Sequence, residues 1–182
     1  MHLDLDEYEI SVAHALATLG ISSEDIARTR LPFHREPAEL ALAERGMDGA
    51  EHYLIPEAAV AWKEMKAAAN GNGIELYIVS AFRDLDSQSD IVREKLERGM
   101  SLPAIFTLSA PPGYSEHHTG RAVDINTPGS IPREIPFEET TAFAWLMTHA
   151  SRFGFVMSYP RNNALGFSYE PWHWYFVRKA SS

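Results

Sequence analysis

Residues 74–82, IELYIVSAF, constrain the fold more than any other segment. They are rich in β-branched and aromatic side chains and almost continuously apolar, the pattern of a central strand. A buried strand needs hydrogen-bonding neighbours, and three shorter apolar segments qualify: 122–125, 155–158 and 172–177.

Helical signals surround these strands. Leu5, Tyr8, Val12, Leu16 and Leu19 recur at helical spacing before Gly20, predicting an amphipathic helix over 4–19 with a glycine stop. A short helix is expected over 22–29, and Pro56 suits the first turn of one that runs to 69, closed by Asn70 and Gly71. Asp86 is placed to cap a helix reaching about 98, a short helix follows over 101–106, and Pro136 opens another over 137–152. The stretch 31–55 combines Pro, Gly and charge with weak periodicity; it is expected to be irregular, with at most a short helix near 37–45. Helices and strands do not alternate regularly. The expected class is therefore α+β, a small and mainly antiparallel sheet flanked by helices, with an N-terminal helical extension.

A chain of 182 residues, 45% hydrophobic, can bury a full apolar core as one domain without metal or disulfide staples. It has no cysteine, so any metal must be held by imidazole and carboxylate. The formal net charge of -9 opposes the attraction on which nucleic-acid and anionic-membrane binding depend, so neither partner is expected. No window approaches 18 uninterrupted apolar residues, and no membrane insertion is predicted. Asp4, Asp6 and Glu7 stand where an export signal would need a basic start and an apolar run. No signal peptide is expected in the chain as written, which reads as cytoplasmic, or as cell-envelope if its start is trimmed or export is indirect.

Three segments carry polar residues that a structural role alone does not require: 80–88, 115–124 and 170–173. His117 and Asp124 lie seven apart across a loop-to-strand transition, and His173 lies in a Trp-rich strand. Two imidazoles and one carboxylate make a three-ligand set with an open fourth position, the arrangement a catalytic zinc uses to hold water. Glu170, three residues before His173, is the candidate general base for that water. Arg83, directly after the buried strand, offers a cation for a developing oxyanion or a bidentate partner for a substrate carboxylate. Taken alone, His117 beside Asp124 reads as an ordinary hydrogen-bonded pair. Ser115 in GYSEH lacks the second glycine of a nucleophile elbow, so a serine hydrolase is not expected. Trp172 and Trp174 read as core and cleft-wall aromatics.

SEHHTGRAVD (115–124) together with EPWHW (170–174) closely resembles the zinc D-alanyl-D-alanine carboxypeptidases of the VanY type, which show SxHxxGxAxD and the same Glu-to-His spacing. SAFRDLDSQ (80–88) matches the family's SGYRSYxxQ in outline, keeping Ser80, Arg83 and Gln88. The three motifs fall in the family's order over residues 74–175. Departures are Ala81 and Phe82 for Gly and Tyr, Asp84 and Leu85 for Ser and Tyr, His118 where Gln is common, and Tyr175 where Arg is frequent.

The resemblance implies that His117, Asp124 and His173 ligate one Zn2+, that Glu170 is the catalytic base and that Arg83 stabilises the transition state. It further implies that Ser115 and Gln88 contact substrate, at its terminal carboxylate, and that His118 stands outside the ligand set. The implied activity is removal of the terminal D-alanine from a peptidoglycan stem peptide, as a D,D- or an L,D-carboxypeptidase. Within the same superfamily the alternatives are a D-Ala-D-Ala dipeptidase or an endopeptidase. A zinc-containing wall-peptide binding module is the non-enzymatic alternative. Residues 74–177 then form the catalytic core of a single metallopeptidase domain spanning 1–182, and 1–70 a helical part that covers the sheet.

Overall fold

In the computed structural model, residues 6–46 and 48–177 are described. Residues 4 and 5 of the first expected helix lie outside them. The site rests on a four-stranded antiparallel sheet of β3 (Tyr77–Ser80), β4 (Ala122–Asn126), β5 (Phe155–Met157) and β6 (His173–Phe176), ordered β3-β4-β6-β5. Side chains alternate across a strand, so β4 sends Val123 and Ile125 to one face and Asp124 to the other. Ile78, Val123, Ile125, Phe155, Trp174 and Phe176 join the main apolar core. Its other half comes from α3 (Pro56–Gly71), through Ala58, Trp62 and Met65, and from α6 (Thr141–His149), through Ala142 and Leu146. The opposite face carries the polar residues, and the register sets their positions: Asp124 pairs with His173 on one side and Ser80 on the other.

Most helices follow local chemistry. Asp6 and Glu9 form a capping box on α1 (Glu7–Thr18), Ser22 and Asp25 do so on α2 (Ser23–Thr29), and Pro56 occupies the first turn of α3. α4 (Leu85–Glu97) begins earlier than expected. Asp84, not Asp86, is its cap and accepts the Ser87 N–H at 2.8 Å, while the Glu36 carboxylate accepts the Leu85 N–H at 2.7 Å. α5 (Leu102–Phe106) follows as expected. The expected 137–152 helix is divided into α6 between two 3-10 turns, Ile135–Glu139 and Ala150–Phe153, because Thr140 turns the chain and caps the Phe143 N–H.

The N-terminal region departs further from expectation. Residues 41–54, expected to be irregular or helical, form an antiparallel hairpin of β1 (Ala41–Arg45) and β2 (Glu51–Leu54). A buried carboxylate holds it: Glu44 accepts from Trp62 Nε1 at 2.9 Å and from the Ile78 N–H at 3.2 Å, and pairs with Lys66 at 2.9 Å. The first 70 residues are therefore not a helical layer. Nor do α1 and α2 cover the sheet; Leu19 and Ile21 pack with Val92 and Ile105 in a second cluster against α4 and α5.

Candidate active site

The 3-10 turn Glu116–Thr119 projects His117 against the polar face of the sheet. There Asp124 Oδ1 lies 3.3 Å from His117 Nε2 and 3.1 Å from His173 Nδ1. The three donor atoms fall within 4.8 Å of one another, and the residues are 2%, 3% and 3% exposed. Among the described residues this is the one His, Cys, Asp or Glu group placed to hold a metal ion.

Hydrogen bonds on the far sides of the rings decide which nitrogens face inward. His117 Nδ1 lies 2.6 Å from the Ala81 carbonyl oxygen, which can only accept, so Nδ1 carries the proton and Nε2 keeps its lone pair for the cluster. His173 Nε2 lies 2.9 Å from Glu116 Oε2, which also accepts from Ser158 Oγ at 2.6 Å. The donor set suits a cation. Burial holds His117 neutral, its pKa pushed down to about 4 with the charge of Arg83 adding to the fall. Burial also penalises charge on His173, but hydrogen bonds to Asp124 and Glu116 outweigh it and raise its pKa to about 10, so a metal at Nδ1 has to displace a proton there. Burial pushes Asp124 up, yet the two imidazoles hold it well below the usual carboxylate range. Two nitrogens and one carboxylate oxygen, converging and buried, match the ligand preferences of zinc.

Glu170 stands beside this set. One of its oxygens lies 3.8 Å from His173 Nδ1, and the turn that carries it is closed by the His173 N–H donating to the Glu170 carbonyl at 3.1 Å. Burial raises its pKa to about 7, with Asp124 adding to the rise and His173, Arg83 and Lys95 opposing it. A carboxyl poised there can both take and return a proton near neutrality.

Arg83 is tied by its backbone: its N–H donates to the His117 carbonyl at 3.2 Å, and its carbonyl accepts from His118 Nδ1 at 2.7 Å. Its Nε is buried and has no hydrogen-bond partner, leaving the guanidinium available to the cleft. His118 is buried, and its Nε2 accepts the Gly113 N–H at 3.1 Å. It is a neutral clamp between the Arg83 segment and the 110–115 loop.

All seven expected residues line one cleft of about 690 Å³: His117, Asp124, His173, Glu170, Arg83, Ser115 and Gln88. Ser115 Oγ caps the 3-10 turn by accepting the His117 N–H at 3.3 Å. Gln88 uses its amide nitrogen on the Ala110 carbonyl at 2.6 Å and keeps a buried, unpartnered Oε1. That atom accepts, so in this geometry it suits a substrate N–H better than a carboxylate. Trp174 is in the core, and Trp172 lies on the cleft wall.

Glu116 and Tyr159 escaped the sequence reading. Tyr159 is 3% exposed and packs its ring 4.8 Å from that of His173. The signal for Glu116 was its place beside His117; for Tyr159 there was none, since a lone aromatic after a strand reads as core.

The chain matches the family model for VanY, D-alanyl-D-alanine carboxypeptidase, over residues 51–179. It is 32% identical over 120 residues to a D-alanyl-D-alanine carboxypeptidase of Enterococcus faecalis (strain ATCC 700802 / V583), covering 60% of this chain and 43% of that protein. The chain spans about half the length of the curated relatives it matches, 58%, 43% and 38% for three of them. Among solved structures it resembles the LD-carboxypeptidase LdcB, at TM-score 0.72 and 33% identity over 82% of this chain and 72% of that one. It also resembles a variant of the vancomycin-resistance D,D-pentapeptidase VanY in complex with Zn(II), at TM-score 0.61 and 28% identity over 83% and 89%. With the motifs, the fold and the family model in agreement over most of its length, the chain belongs to the VanY family of D-alanyl-D-alanine carboxypeptidases.

Proposed function

We propose that this protein is a zinc-dependent carboxypeptidase that removes the terminal D-alanine from peptidoglycan stem peptides. The observation that carries the reading is the convergence of His117 Nε2, Asp124 Oδ1 and His173 Nδ1 beside Glu170. The Zn(II) complex of a VanY relative supports the choice of metal. Zinc held there supplies a Lewis acid for a carbonyl oxygen and lowers the pKa of a water it binds to about 7.

The chain's own residues account for the rest. Glu170 accepts the proton of the attacking water as the new C–O bond forms. It then delivers that proton to the departing amine as the peptide C–N bond breaks, so D-alanine and a peptide one residue shorter leave. Arg83 stabilises negative charge, on the reacting carbonyl oxygen or the substrate's terminal carboxylate. Ser115 holds the His117 turn, and Gln88 holds the Ala110 wall of the cleft. The likeness to LdcB is larger than that to VanY and favours the L,D reaction on tetrapeptides.

The test is mass spectrometry of stem tetrapeptides and pentapeptides incubated with the protein, before and after chelation and with zinc restored. Loss of one D-alanine, stopped by the chelator and recovered with zinc, is the expected result. Glu170→Ala is expected to lose turnover by orders of magnitude while still binding zinc. Release of intact D-Ala-D-Ala, or cleavage of an internal bond, replaces the carboxypeptidase reading with a dipeptidase or an endopeptidase. Zinc binding without any cleavage replaces it with a binding module.

A further inference from the structure

The cleft is lined by four basic residues, Arg83, Lys95, Arg98 and Arg133, and by four acidic ones, Glu94, Asp124, Glu134 and Glu170. Arg98 pairs with Glu94 at 3.6 Å on the same helix. Lys95 and Arg133 form no ion pair with any described residue. They approach from different walls. Lys95 belongs to a stripe of α4, with Gln88 and Ile91, that faces the cleft at helical spacing. Arg133 lies in the connection after β4, with φ at 58°, a left-handed conformation that a non-glycine residue seldom adopts.

These cations lie within electrostatic reach of one another. Burial lowers the pKa of Lys95; Glu170 opposes that fall, and the charges of Arg133, Arg83 and Arg98 add to it. Arg133 likewise acts on Arg83. Glu170 opposes the mutual repulsion of these cations, and a bound carboxylate would add to that relief. One anion is already accounted for, since a carboxypeptidase substrate presents its terminal carboxylate beside the ligand set, within reach of Arg83. Lys95 and Arg133 remain for another.

We infer that Lys95 and Arg133 form a second anion subsite, which selects stem peptides carrying a free carboxylate besides the terminal one. The inference rests on the proposed carboxypeptidase reading and extends it to the substrate class. A lysyl ammonium placed there would meet two cations, so the subsite discriminates by repulsion as well as by attraction. Two carboxylates of a stem peptide could serve: the side-chain carboxylate of a diaminopimelyl residue before the terminal D-alanine, and the α-carboxylate of the γ-linked glutamyl residue preceding it.

Three tetrapeptides ending in D-alanine separate these sources: one with both carboxylates free, one amidated at the diaminopimelyl residue and one amidated at the glutamyl residue. The readouts are kcat/KM for the zinc-loaded protein and calorimetric affinity for zinc-loaded Glu170→Ala. Amidation at one of the two positions is expected to weaken both by at least about 10-fold, through KM more than kcat. Lys95→Met and Arg133→Met are each expected to bring the ratio of free to amidated peptide toward one, and Lys95→Arg to preserve it. Equal affinity for all three peptides, or variants that weaken all three alike, overturns the subsite. Binding that discriminates without any cleavage leaves the subsite standing and overturns the carboxypeptidase reading.

Discussion

His173 Nε2 lies 2.9 Å from Glu116 Oε2, and that bond leaves Nδ1 as the nitrogen facing Asp124 and His117. Glu116 is itself anchored by the Ser158 hydroxyl at 2.6 Å, so the ring of His173 is held from both sides. Partners of this kind set the tautomer and orientation of a metal-binding histidine, and their removal typically costs 10–100-fold in metal affinity. Glu116→Ala is accordingly expected to weaken zinc binding by about 10–100-fold, and Glu116→Gln by less, because the amide oxygen still accepts. Competition against a chromogenic chelator measures both. Wild-type affinity in Glu116→Ala would show that the Asp124 contact alone orients the ring.

Glu44 makes a prediction about stability instead of chemistry. Its side chain is 8% exposed and joins the hairpin to α3 through Trp62 and Lys66, and to β3 through the Ile78 N–H. Glu44→Ala leaves the Trp62 and Ile78 donors without partners, at a cost of about 2–4 kcal/mol. Calorimetry is expected to show a fall in Tm of several degrees. Zinc affinity below the transition is expected to stay within about twofold, since the partners of Glu44 are Trp62, Ile78 and Lys66 and not the candidate ligands. A wild-type Tm would mean that water replaces the carboxylate.

The candidate site was legible because it is concentrated in short motifs whose residue types are costly to bury without purpose. His117, Asp124 and Glu170 each sit within a few residues of another informative group. The pairing that assembles them was not legible: Asp124 and His173 lie 49 residues apart and meet only through the β4–β6 register. The hairpin was obscured because β1 reads ALAER, with alanines where β-branched residues would have marked a strand, and because its anchor is a carboxylate. The Asp48-Gly49 pair between its strands, with Gly49 at φ 84°, was the available signal. α1 was recognised as amphipathic, but an apolar stripe does not say which neighbour it meets. Glu116 and Lys95 belong to no site motif in the sequence; the fold places them against His173 and in the cleft lining.

Asp84 gives a pH dependence with a definite sign. Hydrogen bonds from Ser87 hold its carboxylate below the ordinary range, against the opposing effect of burial. Its folded-state pKa is thus depressed, so the stabilisation is present above the unfolded value, about 3.9, and is lost as pH falls through the lower folded value. Asp84→Ala is expected to cost about 1 kcal/mol at pH 7, the usual worth of a helix cap. Urea midpoints of the two proteins are expected to converge as pH drops below about 4. A difference that persisted undiminished at pH 3 would assign the effect to packing.

Gly113 links the N-terminal helix to the wall of the site. Its φ is 85°, and a Cβ there would lie 2.6 Å from Val12 Cγ1 and 3.3 Å from Phe33 Cε2. Its N–H also donates to His118, and its carbonyl accepts the His34 N–H at 2.8 Å. Gly113→Ala therefore combines left-handed strain with a collision, at about 1–3 kcal/mol. The two causes separate in a double-mutant cycle with Val12→Ala, which removes the colliding methyl groups but leaves the backbone unchanged. If the collision dominates, the double variant is more stable than the sum of the single changes predicts, and the excess appears in urea denaturation. If the costs simply add, the strain resides in the backbone of residue 113 and α1 is free to adjust.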